Sequence, residues 1–256
     1  INPSPDIKVL GYDGVGIVKA VGEKVTLFNV GDRVFYAGDM SRQGSNAEFQ
    51  LVDERIVGLA PTSITDSQAA ALPLTAVTAW ELLFDRLQLN RDSKQSLLII
   101  GAAGGVGSIM LQLAKQLTNV TIIATASREK SADWVRKLGA DHVINHHQPL
   151  AEQLTTLGFD TVDNIVSLTN TDQHFEQIVE CITPQGKFAL IDDPASLNVV
   201  ALKRKSVSLH WEFMFTRSLF ETTDMQTQHH ILNQIAQLID NGTLVTTMGE
   251  ELGKIN

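Results

Sequence analysis

The stretch that decides the fold is LLIIGAAGGVGSIMLQLAK, residues 97–115, where an apolar run passes through a glycine-rich turn into an amphipathic segment. Glycines stand at positions 101, 104, 105 and 107, and apolar residues at helical spacing follow them. A strand, a glycine turn and a helix in this order form the first half of a βαβ unit of the kind that binds dinucleotides. The flanking sequence therefore decides whether the turn holds a phosphate or only reverses the chain.

Strand and helix patterns alternate on both sides of this turn. The strand candidates are apolar runs at 96–102, 120–126, 142–145, 162–168, 187–192 and 207–215. The helix candidates lie near 105–117, 129–138, 148–157, 172–181, 197–204 and 226–240. Strands joined by single helices pair in parallel through right-handed crossovers. We therefore predict an α/β protein with a doubly wound, Rossmann-type parallel sheet of six strands.

The N-terminal part has a different pattern, in which glycines separate short β-branched runs. The stretches KVLGYDGVGIVKAVGEKV (8–25) and LFNVGDRVFYAG (27–38) are examples. Closely spaced strands with glycine turns indicate a small barrel or sandwich. A helical stretch at 63–89 follows, and Pro73 divides it because proline does not fit inside a helix.

Composition excludes several classes of protein. The chain has 256 residues, of which 43% are hydrophobic, so it can bury a sizeable core. A net charge of −9 argues against a nucleic-acid binder, which usually presents a basic face. Cys181 is the only cysteine, which excludes a disulfide within the chain and is typical of the cytoplasm. No apolar run approaches the roughly 18 residues of a membrane span, so we expect no membrane partner.

The glycine spacing suits a bound pyrophosphate. Gly104 and Gly105 would let the backbone approach the phosphates, and Gly107 would let the helix pack closely on the strand. The N-terminus of that helix offers unpaired N–H groups and a partial positive charge. The alternative is a tight turn without a ligand. The predicted phosphate-binding turn comprises Gly101, Ala102, Ala103, Gly104, Gly105, Val106 and Gly107.

The end of the second strand indicates which dinucleotide is bound. NAD binders carry an acidic residue about 20 residues past the glycines, where it bonds the ribose 2′-hydroxyl. Here the run is ATASREK, with Ser127 and Arg128 at that position and Lys130 close behind. A guanidinium matches phosphate oxygens with two parallel hydrogen bonds, so we predict NADP(H) rather than NAD(H). The alternative is that Ser127 caps the next helix and Arg128 is solvated.

Six motifs together resemble the medium-chain dehydrogenase/reductase superfamily, in particular its quinone-oxidoreductase branch, often labelled zinc-type alcohol dehydrogenase-like. The motifs are GYDGVGIVKAVGEKVTLFNVGDRVF, AEFQLVD, LPLTAVTAWELL, GAAGGVGS, LGADHVIN and TPQGKF. The resemblance implies that residues 1–73 are part of a GroES-like β-barrel catalytic domain. It implies a Rossmann domain at 74–241, and a return towards the catalytic domain at 242–256. We also expect further catalytic-domain segments beyond both ends of this chain, and an active site in the cleft.

The resemblance also raises the question of a metal. Zinc enzymes of the superfamily have Gly-His-Glu where this chain has Gly11-Tyr12-Asp13, and a cysteine where it reads PLTAVTAW. A catalytic zinc needs three protein ligands, so we expect no zinc. Without a Lewis acid, the natural chemistry is hydride delivery from NADPH to an electrophilic carbon of a quinone or an α,β-unsaturated carbonyl. The alternatives are a zinc-dependent alcohol dehydrogenase and a non-catalytic NADPH-binding sensor or scaffold.

Further roles follow from the resemblance alone. Tyr12 would donate a hydrogen bond to the developing oxyanion, or else simply line the pocket. Thr78 would lie near the nicotinamide, or else pack its helix. His146 stands where the family often has a tyrosine near the adenosine phosphate. The strand at 207–215 would form the sheet edge and pair across a two-fold axis in a homodimer, or else lie buried beneath the final helix.

Overall fold

The computed structural model describes residues 8–251 and 253, which divide into two compact units. The first unit contains the chain up to Val77 and again from Met214 onward, and the second is Thr78–Phe213. Residues 1–7 of the predicted catalytic domain lie outside the described residues. The boundaries between the units differ from the predicted ones at 73/74 and 241/242, most of all on the C-terminal side.

The first unit contains a small antiparallel sheet with the order β1-β2-β3. Its strands are β1 (Gly14–Ile17), β2 (Arg33–Tyr36) and β3 (Val57–Leu59). Val34 and Val57 are buried with Phe28 in a small apolar core against this sheet. The glycine-separated runs thus form short strands, as the sequence predicted.

Two helices follow the sheet and use the capping devices that the sequence offers. In α1 (Asp66–Ala70), Thr65 and Gln68 form a reciprocal capping box. In α2 (Pro73–Trp80), the proline stands at the first helical position, where its missing N–H costs nothing. The next N–H, that of Leu74, donates to Asp13 Oδ1 at 2.7 Å. A π-helical stretch (Glu81–Arg86) continues from α2.

The second unit is built on a six-stranded sheet in which every neighbouring pair is parallel. Its strands are β4 (Ser96–Ile100), β5 (Thr121–Thr125), β6 (His142–Ile144), β7 (Val162–Ser167), β8 (Ile182–Leu190) and β9 (Ser208–Trp211). The order is β6-β5-β4-β7-β8-β9, so the direction of winding reverses after β4. This arrangement confirms the predicted doubly wound sheet.

Four helices cross between these strands. They are α3 (Gly105–Leu117), α4 (Glu129–Lys137), α5 (Leu150–Thr156) and α6 (Thr171–Cys181). Residues of α5 and α6 pack with apolar side chains of the sheet in one large buried cluster that includes Leu154, Ile178 and Phe188. Cys181 belongs to the same cluster and is fully buried, as expected of a small apolar residue.

The chain departs from the predicted pattern around the last strand. The predicted helix at 197–204 is a 3-10 helix (Val199–Lys205), and the predicted strand at 207–215 is only the four residues of β9. The chain leaves the sheet at Glu212, whose carboxylate is buried and accepts a hydrogen bond from Arg86 Nε at 2.7 Å. Strand β9 nonetheless forms the sheet edge, on which the dimer prediction depends.

After β9 the chain returns to the first unit as α7 (Thr216–Leu219) and α8 (Thr227–Asp240). The sequence predicted α8 within the Rossmann domain, but this helix packs on β3. Polar contacts hold α8 against this unit in addition to apolar ones. The side-chain oxygen of Asn233 accepts a hydrogen bond from the Leu59 N–H at 2.8 Å, and the Asp240 carboxylate accepts hydrogen bonds from the N–H groups of Thr62 and Ser63. Among the residues that the structure describes, no helix has the length and apolar character needed to cross a membrane.

Candidate functional site

The second unit contains a cavity of about 820 Å³ at the carboxyl ends of its central strands. Ligands of open α/β sheets bind at this edge, beside the strand where the winding reverses. That strand is β4, and the glycine turn follows it directly. The cavity is lined by Gly101, Ala103, Gly104, Gly105, Val106, Gly107, Thr125, Ala126, Ser127, Arg128, Lys130, Ser131, Trp134, His146, Leu168, Thr169 and Ile191.

The glycine turn presents bare backbone to this cavity. Gly101 has a φ of +81°, which disfavours side chains, and its N–H donates to Thr125 Oγ1 at 3.1 Å. Gly104 is the N-cap of α3, and a Cβ built on it would meet only the Gly101 carbonyl oxygen, at 3.4 Å. The first N–H groups of a helix have no partner within it. An anion could therefore approach the N-terminus of α3 without obstruction.

Gly107 has a different reason to be glycine. A Cβ at this position would lie 2.4 Å from the carbonyl oxygen of Ala102, well inside van der Waals contact. Ala102 itself is fully buried and does not line the cavity, unlike the other residues of the predicted turn. The structure thus assigns Ala102 to the packing of α3 against the end of β4, because close packing turns its side chain inward.

The end of β5 brings hydroxyl and basic groups to the cavity wall. Ser127, Arg128 and Lys130 all line it, and the described lining residues include no carboxylate. The N-cap of α4 is Arg128 rather than Ser127, and it has no side-chain cap. The alternative in which Ser127 caps this helix is therefore not what the structure shows.

The sequence analysis missed several residues of the wall. Ser131 and Trp134 of α4 line the cavity together with Lys130, and the indole N–H of Trp134 donates to Ser108 Oγ of α3 at 2.8 Å. Helical spacing from Lys130 could have identified Trp134, four residues later, and Ser131 is three residues before Trp134, since residues three or four apart share a helix face. Thr125, Ala126, Leu168, Thr169 and Ile191 come from the ends of neighbouring strands or the residues just after them.

Comparison with known protein families shows which family this chain belongs to. Residues 1–71 match the alcohol dehydrogenase GroES-like domain, and residues 105–228 match the zinc-binding dehydrogenase domain. A zinc-type alcohol dehydrogenase-like protein of Staphylococcus aureus is 44% identical over 242 residues, which cover 92% of this chain and 71% of that protein. The chain belongs to the medium-chain dehydrogenase/reductase superfamily. The predicted GroES-like and Rossmann parts are thereby confirmed.

Other members of the superfamily are similar over much of the chain. The NADPH-dependent alkenal/one oxidoreductase of Arabidopsis thaliana is 35% identical over 196 residues, 72% of this chain and 50% of that protein. A crystal structure from Rhizobium etli, described as a zinc-dependent alcohol dehydrogenase protein, has 52% identity and a TM-score of 0.92, covering 96% of this chain and 73% of that one. Quinone oxidoreductase of Escherichia coli, complexed with NADPH, has 26% identity and a TM-score of 0.79, covering 94% and 74%.

The two predicted catalytic residues of this medium-chain dehydrogenase/reductase lie in different units. Tyr12 belongs to the first unit, is 45% exposed and has its ring 5.0 Å from that of Phe215. Thr78 belongs to the second unit and is only 5% exposed near the end of α2, which favours the packing alternative. Neither side chain lines the cavity of the second unit, so their catalytic roles stay predictions.

The family name raises the question of a zinc site, and the potential ligands among the described residues do not fit one. Among residues 8–251 and 253, no three His, Cys, Asp or Glu side chains are grouped as metal ligands. Tyr12 occupies the position of the expected histidine, and a phenol is not among the usual zinc ligands. Beside it, burial raises the pKa of Asp13 to about 6, although the Leu74 N–H opposes this shift.

Proposed function

We propose that this chain is an NADP(H)-dependent oxidoreductase that transfers a hydride to a quinone or an α,β-unsaturated carbonyl without zinc. The observation that carries the proposal is the wall of the cavity after β5. Ser127, Arg128 and Lys130 line it, and no described lining residue is acidic. Such a wall suits the 2′-phosphate of NADP(H), whereas the free 2′-hydroxyl of NAD(H) is normally held by a carboxylate.

The residues of the second unit would hold the dinucleotide from end to end. The pyrophosphate would lie against Gly104 and the N-terminus of α3, where backbone N–H groups and the helix dipole favour negative charge. Arg128 would pair with the 2′-phosphate, with Ser127 as a further donor. When bound, the nicotinamide supplies the hydride. The protein positions the reactants and excludes water, which together can remove a large part of the barrier.

The choice of acceptor rests on the donor set, because the described residues offer no group of three His, Cys, Asp or Glu side chains for a zinc ion. Alcohol oxidation needs a cation to stabilise the alkoxide, whereas a quinone or an enone already has an electrophilic carbon. The Tyr12 phenol, half exposed in the first unit, could donate a hydrogen bond to the oxyanion that forms. The Arabidopsis alkenal/one oxidoreductase and the E. coli quinone oxidoreductase support this class of acceptor.

We also propose a cytoplasmic homodimer that pairs through the edge strand β9. Support comes from the unpaired edge of β9 in the described sheet and from Trp211 on it, which is 53% exposed. The single buried cysteine suits a reducing compartment. Sedimentation velocity tests the assembly, and a monomer at micromolar concentration would remove this part of the proposal.

The central experiment measures NADPH oxidation against a panel of quinones and a panel of enones. The expected result is turnover that survives exhaustive chelation, with less than one zinc per chain by metal analysis. Alcohol oxidation that is lost when zinc is removed would support the zinc-dependent alternative. Tight NADPH binding without turnover on either panel would support a sensor or scaffold.

A matched pair of variants tests the cofactor choice. Arg128→Ala should raise the dissociation constant of NADPH by about tenfold and leave that of NADH nearly unchanged, because only NADPH has the 2′-phosphate. Arg136→Ala is the control, because it also removes one positive charge, from the helix α4 that begins after Arg128. Arg136 pairs with Asp133 on the surface and does not line the cavity. Titration calorimetry gives both constants. Equal effects of Arg128→Ala on the two nucleotides would contradict phosphate recognition.

A further inference from the structure

The ends of β5 and β6 place a histidine beside the proposed phosphate site. Thr125 pairs with Ile144 in the parallel ladder, and the Ala126 N–H donates to the Ile144 carbonyl at 2.9 Å. Ser127 lies two residues after Thr125, and His146 two residues after Ile144, so both follow this last pair closely. Neighbouring strands lie about 4.8 Å apart, and both side chains line the cavity. A phosphate bound at Ser127 is therefore within reach of the His146 ring.

A second histidine lies behind the first. His174 is in the first turn of α6 and is 9% exposed, and its ring centroid lies 6.1 Å from that of His146, edge to face. The Nδ1 atoms of both rings are buried, and neither has a hydrogen-bond partner among the described residues. Buried polar atoms in native proteins nearly always have a partner. Of the two, only His146 lines the cavity, so a bound ligand could supply a partner to the His146 ring alone.

The charges around His146 come from several elements. His147 is on the same loop, and His174 and Asp172 are on α6. Asp192 follows β8, and Arg128 and Lys130 line the same cavity. Burial, and then the neighbouring His147 and His174, lower the pKa of His146 in the free protein. A phosphate nearby would favour the protonated ring, because an opposite charge stabilises the charged form.

We propose that His146 is a proton-linked contact to the 2′-phosphate of NADP(H) and that His174 is a positioning residue for its ring. The inference rests on the proposed function, since it concerns the same nucleotide site. Binding of NADP(H) draws a proton onto His146, whereas NAD(H), which has no 2′-phosphate, does not. The preference for NADP(H) over NAD(H) therefore increases as the pH falls.

The test compares the parent protein with His146→Gln and with a control, His142→Gln. Glutamine keeps a polar side chain but takes up no proton, and His142 lies on β6 with its ring against Phe159, away from the cavity. Dissociation constants of NADPH and NADH are measured at about pH 8 and about pH 6. When the pH falls from about 8 to about 6, the preference for NADPH over NADH should rise in the parent and in His142→Gln. That rise should be about tenfold larger than the rise in His146→Gln. The 2′-phosphate of NADPH also titrates in this range, but it does so with all three proteins and therefore cancels when they are compared.

Calorimetry in two buffers of different ionisation enthalpy measures directly how many protons the protein takes up when NADPH binds. NADPH binding to the parent near pH 7 should take up a fraction of a proton, and His146→Gln should lose this uptake. For the positioning role, His174→Ala should diminish the uptake and His174→Phe, which keeps an aromatic ring, should restore it. Unchanged uptake in His174→Ala would remove His174 from the account.

The outcomes separate this inference from the proposed function. If the parent binds neither nucleotide, the proposed function fails and the inference fails with it. If NADPH binds and Arg128→Ala weakens it selectively, but proton uptake is the same in the parent and His146→Gln, only the inference fails. A loss of uptake confined to His146→Gln, with His142→Gln unaffected, supports it.

Discussion

An alanine at position 107 should destabilise the fold, whereas an alanine three residues earlier should weaken mainly the binding of nucleotide. The two glycines lie in the same turn and both line the cavity, yet their surroundings differ. The pair Gly107→Ala and Gly104→Ala therefore separates the packing role of the turn from its phosphate-binding role.

The structure indicates the size of each effect. A Cβ at position 107 would lie 2.4 Å from the Ala102 oxygen and 2.6 Å from two further backbone atoms of Ala102. Backbone cannot rotate away, so α3 would have to move from the end of β4. Overpacking of this kind costs about 3 kcal/mol, the upper end of the usual range. At position 104 the nearest atom is 3.4 Å away and φ is −77°, so we expect a loss below about 1 kcal/mol from the poorer N-cap.

Thermal and chemical unfolding followed by circular dichroism give the stability, and calorimetry gives NADPH binding. For Gly107→Ala we expect a melting temperature lower by about 6–12 °C, together with weaker binding. For Gly104→Ala we expect a melting point close to the parent's, with at least a tenfold loss of affinity, because the new methyl group would stand on the cavity wall with only the Gly101 oxygen near it, at 3.4 Å. A Gly107→Ala protein as stable as the parent would refute the packing argument. A Gly104→Ala protein that binds NADPH normally would refute the position of the pyrophosphate.

Two further predictions concern buried charge. The pKa of Asp13 is about 6 in the folded protein against an ordinary value of 3.8, so its carboxyl stabilises the fold most below 3.8 and loses this contribution as the pH rises through about 6. Asp13→Asn can still accept the Leu74 N–H, and it should add at most about 3 kcal/mol at pH 7.5 and little near pH 4, measured by urea unfolding at both values. Arg86→Ala should cost about 3 kcal/mol at neutral pH, because it removes a cation from the fully buried Glu212 carboxylate. Arg91→Ala, at an exposed position in the same unit, should cost far less in the same unfolding assay.

The outcomes that would contradict these two predictions are distinct. If Asp13→Asn shows the same dependence of stability on pH as the parent, then Asp13 is not the group that titrates near 6. If Arg86→Ala and Arg91→Ala lose equal stability, then the Arg86–Glu212 pair contributes no more than a surface cation does.

Local sequence was a good guide to the second unit. Each of the six strands was predicted at the correct place, although β8 begins at Ile182 rather than 187 and β9 ends at Trp211. Apolar periodicity identifies such elements because parallel strands are buried on both faces and their crossover helices on one. It was less informative where polar contacts end an element, as at Glu212.

Long-range contacts were beyond the reach of sequence patterns. The amphipathic face of α8 was evident, but periodicity does not say which partner covers that face. Likewise nothing in the sequence brings His174 to His146, 28 residues earlier, or Trp134 to Ser108. Those contacts depend on how crossovers stack on the sheet.

The sequence by itself determined the glycine turn, the strand and helix that flank it, and the basic residues at the end of the second Rossmann strand. These features depend on backbone sterics and on residues close together in the chain, so they can be recognised from spacing alone. Only the tertiary structure decided that α8 belongs with the first unit, that Ala102 packs inward while its neighbours face the cavity, and that two histidines meet behind the proposed phosphate site. The physical reason is that burial and pairing depend on which surfaces meet in three dimensions, and a one-dimensional pattern specifies a surface but not its partner.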